Sequence, residues 1–127
     1  MMGTRFVATH ECNVHPKIKE WLVKARETDT TLIDRSLGLP MRVIKNKPAE
    51  KALEMDKKGA SLEELLTVIS GELGRKAWIG GGIDAGVVSL GMAVGRIHEI
   101  VSVKKAIDEI IEEAQVICKR LNLTLTA

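Results

Sequence analysis

Hydrophobic positions recur mostly at helical spacing along this chain. The clearest case follows Ser102, a favoured N-cap residue, where apolar and charged residues fall on opposite faces of one long helix. Its apolar stripe consists of Val103, Ala106, Ile107, Ile110, Ile111, Ala114, Ile117, Cys118 and Leu121. This spacing predicts a long amphipathic helix.

Three more helices are predicted by the same signals. One runs over residues 16–27, since Pro16 suits a first helical turn and apolar residues follow at helical spacing. A second covers 46–57, opened by an asparagine and a proline and stopped by a glycine. The third begins at a capping box of Ser61 and Glu64 and ends near the glycines of 71–74.

Three short segments have the character of strands. Residues 3–9 alternate and contain β-branched side chains, which predicts a strand. Residues 30–34 and 41–44 are extended patterns separated by the turn signal of 38–40, which predicts a hairpin. Together with the helices, these segments predict a mostly helical α+β fold with residues 1–127 in a single domain.

A glycine-rich stretch lies between the third helix and the long one. Residues 80–82 are three consecutive glycines, which we interpret as a flexible entry to a buried helix over 84–95. The glycines Gly91 and Gly95 would let this helix pack its backbone closely against a neighbour.

Composition narrows the classes of function. Aromatic residues make up 2% of the chain, so the core must be aliphatic and nucleic-acid binding through stacked aromatics is disfavoured. The formal charge is +2, with both signs interspersed, which gives no case for a polyanionic partner. No apolar run predicts a membrane segment, and two distant cysteines, Cys12 and Cys118, fit a reduced cytoplasmic setting. The sequence leaves open whether those two cysteines pair.

One cluster could bind a metal. His10, Cys12 and His15 follow the pattern H-x-C-x2-H, which could supply three ligands. No fourth ligand is nearby, and the proline after His15 marks that residue as a helix start. No base that could activate Cys12 as a nucleophile is specified, and His98 is a lone histidine beside an apolar face.

Gly3 and Thr4 form a candidate phosphate site. A glycine at a strand end lets backbone N–H groups approach an anion, and the threonine hydroxyl adds a donor. The longer run "MGTRFVATHEC", followed by "HPKIKEWLVKARETDTT", resembles the last barrel strand and following helix of FMN-dependent nitronate monooxygenases, formerly 2-nitropropane dioxygenases. The related flavin-dependent enoyl-ACP reductases share the pattern. The segment "GGIDAGVVSLGMAVGRIHEIVSVKKAIDEIIEEA" resembles the closing part of the same family.

The resemblance implies a fold. The chain would be a C-terminal fragment of a (β/α)8 (TIM) barrel flavoprotein with its helical extension, not a complete barrel, because a barrel takes about 250 residues. Residues 1–28 would correspond to the last barrel strand and helix, and residues 29–127 to a hairpin plus the helical extension.

The resemblance also implies cofactor residues. Gly3 and Thr4 would bind the FMN phosphate, and Gly91 and Met92 would lie beside the flavin at a position where the family usually has Gly-Gln. A thioether cannot replace the two-way hydrogen bonding of that amide. The catalytic histidine of the family lies upstream of the matched portion, so no catalytic residue is expected here.

Three hypotheses of function follow. The chain could be part of a nitronate monooxygenase, or of an enoyl-ACP reductase, that works only with the N-terminal half of the barrel. It could instead fold alone and self-associate as a dimer through its exposed strand and apolar helix faces. It could also be a small metal-binding module. For the isolated chain, we expect dimerisation or pairing of the 3–9 strand with residues 30–44, which would satisfy the unpaired strand edge.

Overall fold

A computed structural model describes residues 2–125, with side chains described through residue 122. Within this range the fold is mostly helical α+β, as predicted. The helices are α1 (Gly3–Val7), α2 (Pro16–Lys24), α3 (Lys47–Lys57), α4 (Leu62–Ile69), α5 (Gly71–Gly80) and α6 (Val103–Leu125). The strands are β1 (Thr30–Ile33) and β2 (Met41–Ile44), and short 3-10 turns cover Glu27–Asp29 and Met92–Arg96.

The hairpin and several helix ends agree with the sequence-based predictions. Strands β1 and β2 pair antiparallel, with Thr30 opposite Ile44. Helix α4 begins at the expected capping box, since the Glu64 N–H donates to the Ser61 hydroxyl and the Glu64 carboxylate accepts from the Ser61 N–H at 2.8 Å. Helix α6 begins directly after Ser102, whose hydroxyl accepts from the Lys105 N–H.

The prediction of a strand over residues 3–9 is wrong. Gly3–Val7 forms the short helix α1, and the Thr9 hydroxyl closes its end by donating to the Phe6 carbonyl at 2.8 Å. Thr9 makes one parallel bridge, with Val101, and it does not pair with residues 30–44 as expected for the isolated chain. A seven-residue alternation cannot distinguish a strand from one helical turn followed by a bridge.

The glycine-rich region also differs from its prediction. Helix α5 was missed, because Gly71 opens this helix instead of ending α4, and Gly74 lies buried inside it. Residues 81–91 then form an irregular connection where a helix was predicted over 84–95. The Asn46 side-chain amide fixes this connection by donating to the carbonyls of Ile83 and Gly86, at 2.6 and 2.9 Å. Helix α2 ends at Lys24, three residues before its predicted end.

Two apolar clusters form the core. The larger joins α2, the irregular connection and the 3-10 turn Met92–Arg96; its buried members include Ile18, Leu22, Val88 and Val94. The smaller packs β1 and β2 against α3 and α4. Helix α6 contributes one buried side chain near its start, Ala106, while Val103 is half-buried and the rest of its predicted stripe is exposed through residue 121.

Close backbone packing occurs at Gly86, and this position generates a test. A Cβ built on Gly86 would overlap the Leu73 carbonyl and lie 2.7 Å from the Gly74 nitrogen, and neither is a flexible side chain. We expect Gly86→Ala to lower the free energy of unfolding by roughly 1–3 kcal/mol through overpacking. Urea denaturation measures this change. Gly71→Ala is the matched control, because its Cβ meets open space at the start of a helix. Equal stability of the two variants would contradict the packing argument.

Asp34 generates a second test. Burial, together with repulsion from Asp56, raises the pKa of Asp34 above its ordinary value of 3.8, and among the described residues its Oδ1 has no hydrogen-bond partner. The stability that Asp34 contributes is therefore fully present below the ordinary pKa and is lost as pH rises through the raised pKa. Asparagine also tolerates the left-handed conformation of this residue, whose φ is 59°.

We expect Asp34→Asn to be more stable than the unsubstituted chain at about pH 7 and to lose that advantage at about pH 4. Unfolding by urea at both pH values measures the difference. A gain of the same size at both pH values would show that the charge of Asp34 is not its cause.

Candidate functional site

A large cleft among the described residues lies where the start of the chain meets the region before α6. Its volume is about 1010 Å³, at the upper end of the range of roughly 300–1,000 Å³ typical of small-molecule sites. It is lined by Met2, Gly3, Thr4, Arg5, Val7, Pro40, Met41, Arg42, Trp78, Ser89, Leu90, Gly91, Met92, Ala93 and Ile110.

The four residues expected to contact a cofactor all line this cleft. Gly3 and Thr4 come from α1, and Gly91 and Met92 from the start of the 3-10 turn. One hydrogen bond joins the two segments: the Gly91 N–H donates to the Thr4 hydroxyl oxygen at 2.9 Å. A Cβ on Gly91 would lie 3.3 Å from that same oxygen, so glycine permits the close approach.

The Thr4 hydroxyl is positioned to bind an anionic oxygen. Since it accepts from the Gly91 N–H, its own proton remains to be donated, and none of the residues in the described range accepts it. Gly3 is exposed and has open space where a Cβ would be, so its backbone is accessible from the cleft. The two residues together fit an oxygen-rich group such as a phosphate.

The charge of the cleft favours an anion. Arg5 and Arg42 line it, and none of its lining residues in the described part of the chain is acidic. Arg5 donates to the Glu99 carbonyl at 3.1 Å and contacts the Glu109 carboxylate at 3.4 Å, so its charge is partly compensated. Arg42 donates to the neutral Thr30 hydroxyl at 3.0 Å, which leaves its positive charge available to a ligand.

The same cleft has an apolar wall. Trp78, Met41 and Leu90 contribute to it, and the Met92 side chain is 53% exposed. An apolar wall beside a few polar groups is the usual composition of a cofactor site. The cleft therefore suits a small molecule with an apolar part and an anionic part. Arg42 and Trp78 were not identified from the sequence; Trp78 lies on α5, the helix that the sequence analysis missed.

The histidines and cysteines of the described range are not grouped into a metal site. His15 caps α2, since its Nδ1 accepts from the Lys17 N–H at 3.2 Å, and His98 lines a separate cleft beside Arg96. Among residues 2–125, no three His, Cys, Asp or Glu side chains are grouped so that they could hold a metal ion. Cys12 and Cys118 are both free thiols, so they do not form a disulfide in this structure.

No helix in the described range is long and apolar enough to cross a membrane.

Comparison with known proteins identifies the family. The family model for nitronate monooxygenase matches residues 1–113, and the chain belongs to that family. Among solved structures, FabK from Thermotoga maritima is 35% identical, with a TM-score of 0.84, over 94% of this chain and 37% of that chain. A methionine-to-alanine mutant of the same FabK matches at 32% identity with a TM-score of 0.73, over 94% of this chain and 34% of that chain. The predicted kinship with nitronate monooxygenases and flavin-dependent enoyl-ACP reductases is confirmed.

The length of the match bears on what these residues can do. The chain spans little more than a third of the length of the FabK structures it matches. The match therefore covers only one part of a larger protein.

Proposed function

We propose that this chain is the C-terminal part of an FMN-dependent oxidoreductase that oxidises alkyl nitronates, and that Gly3, Thr4, Gly91 and Met92 form its share of the FMN site. The observation that carries the proposal is the Thr4–Gly91 hydrogen bond. It joins residues 87 positions apart in one cleft that also carries two arginines. Membership of the nitronate monooxygenase family supplies the chemistry.

Each group in the cleft has a role in this proposal. The Thr4 hydroxyl, oriented by the Gly91 N–H, donates to a phosphate oxygen, and Arg42 adds a charge-assisted interaction. Trp78 and Met92 cover the apolar part of the cofactor and exclude water from it. When bound, FMN supplies the redox chemistry, taking two electrons from the nitronate and passing them to oxygen.

The chain's own residues do not complete an active site in this proposal. None of its three histidines lines the cleft, and the family resemblance places the catalytic base upstream of the matched portion. We therefore expect the isolated chain to bind FMN weakly and to lack turnover. The polypeptide that corresponds to the rest of the barrel would supply both the base and the other phosphate contacts.

A second candidate activity is the flavin-dependent reduction of an enoyl thioester. It is favoured by the 35% identity to FabK, a flavin-dependent enoyl-ACP reductase. The two candidates differ in the direction of electron flow, since the reductase takes hydride from a nicotinamide and the monooxygenase passes electrons to oxygen. Assays of the flavin-loaded, reconstituted enzyme with an alkyl nitronate and with an enoyl thioester would separate them.

Thr4→Ala tests the phosphate contact. It removes a charge-assisted hydrogen bond of about 1.5–3 kcal/mol, so we expect FMN affinity to fall by about 10-fold or more. Riboflavin has the same ring system without the phosphate, so its affinity should fall less, by the effect of losing the Thr4–Gly91 hydrogen bond alone. Titration of each flavin, followed by absorbance and by the protein's thermal midpoint, measures both effects.

Thr4→Ser is the control, because it keeps the hydroxyl and should retain FMN affinity. An equal loss of FMN and riboflavin in Thr4→Ala would place Thr4 away from the phosphate. Saturable binding of neither flavin by the unsubstituted chain would show that this portion does not hold the cofactor alone, and the same titration would then be made on the reconstituted enzyme.

Met92→Gln tests the departure from the family's Gly-Gln pair. The amide can donate and accept hydrogen bonds where the thioether cannot, so we expect tighter binding of FMN and of riboflavin alike. Met92→Leu is the control, since it keeps an apolar side chain of similar size and should leave both affinities near those of the unsubstituted chain. No gain in Met92→Gln would remove Met92 from the proposed flavin contacts.

A further inference from the structure

We propose that Asp34, Ser36 and Asp56 bind one hard divalent cation, of the Mg²⁺ or Ca²⁺ class, which joins the hairpin loop to the end of α3. Asp34 and Ser36 lie in the loop that follows β1, and Asp56 lies in the last turn of α3. None of the three residues lines the cofactor cleft. The proposal is therefore independent of the proposed function.

The Asp34 carboxylate lacks the partners that a buried charge needs. The residue is only 6% exposed, and its Oδ1 is the one buried side-chain nitrogen or oxygen atom of the described residues that has no hydrogen-bond partner. No basic side chain of the described range forms an ion pair with it. Buried charges in proteins are otherwise paired or bound to a metal ion. The environment of Asp34 is therefore incomplete without a ligand.

A second carboxylate lies beside the first. The Ser36 hydroxyl donates to Asp56 Oδ1 and so holds the hairpin loop against α3. Burial, followed by repulsion from Asp56, raises the pKa of Asp34, which places the two carboxylates close together. No basic side chain in the described part of the chain forms an ion pair with Asp56 either. Two neighbouring carboxylates without a counter-charge favour a bound cation.

The end of α3 adds to the negative potential. The C-terminus of a helix carries partial negative charge on its unpaired carbonyls, and cations are stabilised there. Arg35, Lys57 and Lys58 are the basic residues nearest in sequence, and all three are exposed. Because their charges are solvated, they offset the two carboxylates only weakly.

The donor atoms indicate which cation the site would take. Two carboxylates and a hydroxyl offer oxygen ligands, which suit Mg²⁺ and Ca²⁺ and not the softer metals that prefer imidazole or thiolate. Among residues 2–125, no third Asp, Glu, His or Cys joins the pair, so water would complete the coordination. Ser36 is exposed, so an ion and its water can approach from solvent. With two carboxylates, we expect a dissociation constant of roughly 0.1–1 mM.

A cation bound here would stabilise the fold. Asp34 follows β1 and Asp56 ends α3, and β1, β2 and α3 share the smaller core cluster. An ion bound to both carboxylates would fix the hairpin on that helix and would relieve their repulsion. Because the unfolded chain does not hold the two carboxylates together, the ion stabilises the folded state by mass action.

Thermal unfolding in EDTA, MgCl₂, CaCl₂ and KCl tests the site. We expect MgCl₂ or CaCl₂ at about 10 mM to raise the thermal midpoint by at least about 3 °C above KCl of equal ionic strength. The chloride with the larger effect identifies the ion, and equilibrium dialysis should show about one such ion bound per chain. Asp34→Asn and Asp56→Asn should each lose the shift. Glu54→Gln is the control and should keep it, because Glu54 is an exposed carboxylate on the same helix.

The stability of Asp34→Asn relative to the unsubstituted chain gives a second measurement. In EDTA at about pH 7, the variant should be the more stable of the two, because asparagine places no charge at this buried position. In saturating cation the difference should shrink or reverse, since only the unsubstituted chain binds the ion. An unchanged difference would contradict the proposal.

Three results would overturn the proposal. The first is no increase of the thermal midpoint above KCl with either divalent chloride. The second is an equal increase in the unsubstituted chain and in Asp34→Asn, which would mean that other surface carboxylates bind the ion. The third is stabilisation by acid with none from either divalent cation, which would show that a proton and not a metal ion neutralises Asp34.

Discussion

The hydrogen bond from the Gly91 N–H to the Thr4 hydroxyl is the contact on which the candidate site depends. It is one of several contacts that hold the start of the chain against the region before α6. The Thr9–Val101 bridge and the contact of Arg5 with the Glu99 carbonyl lie nearby along the same junction. Because these contacts are far apart in sequence, they form only when the intervening hairpin and helices have packed. The cleft is therefore a product of the whole fold and not of a local motif.

The sequence predicts well those elements whose signals are local. The capping box of Ser61 and Glu64 lies where α4 begins, and the β1–β2 hairpin forms between the predicted strands. The capped start of α6 is correct for the same reason, because Ser102 is followed at once by a strong apolar period. These elements are recognised by residues within a few positions of one another.

The predictions that failed depend on distant contacts. Residues 84–95 are mostly small and were predicted to form a closely packed helix, but Asn46 binds the carbonyls of Ile83 and Gly86 and fixes an irregular path. Residues 3–9 alternate like a strand, yet Thr9 finds its partner at Val101, beyond the reach of any local pattern. The four candidate cofactor residues were identified through family resemblance, and Arg42 was not, since its part in the cleft is set by packing.

Helix α6 connects the cofactor cleft to an apolar surface that the described residues leave exposed. Among the described residues its apolar stripe is buried at Ala106 and half-buried at Val103, and it is exposed from Ile107 to Leu121. The uncovered part begins at Ile107 and includes Ile110, which lines the cofactor cleft. The cleft is thus lined in part by a side chain that is itself 42% exposed.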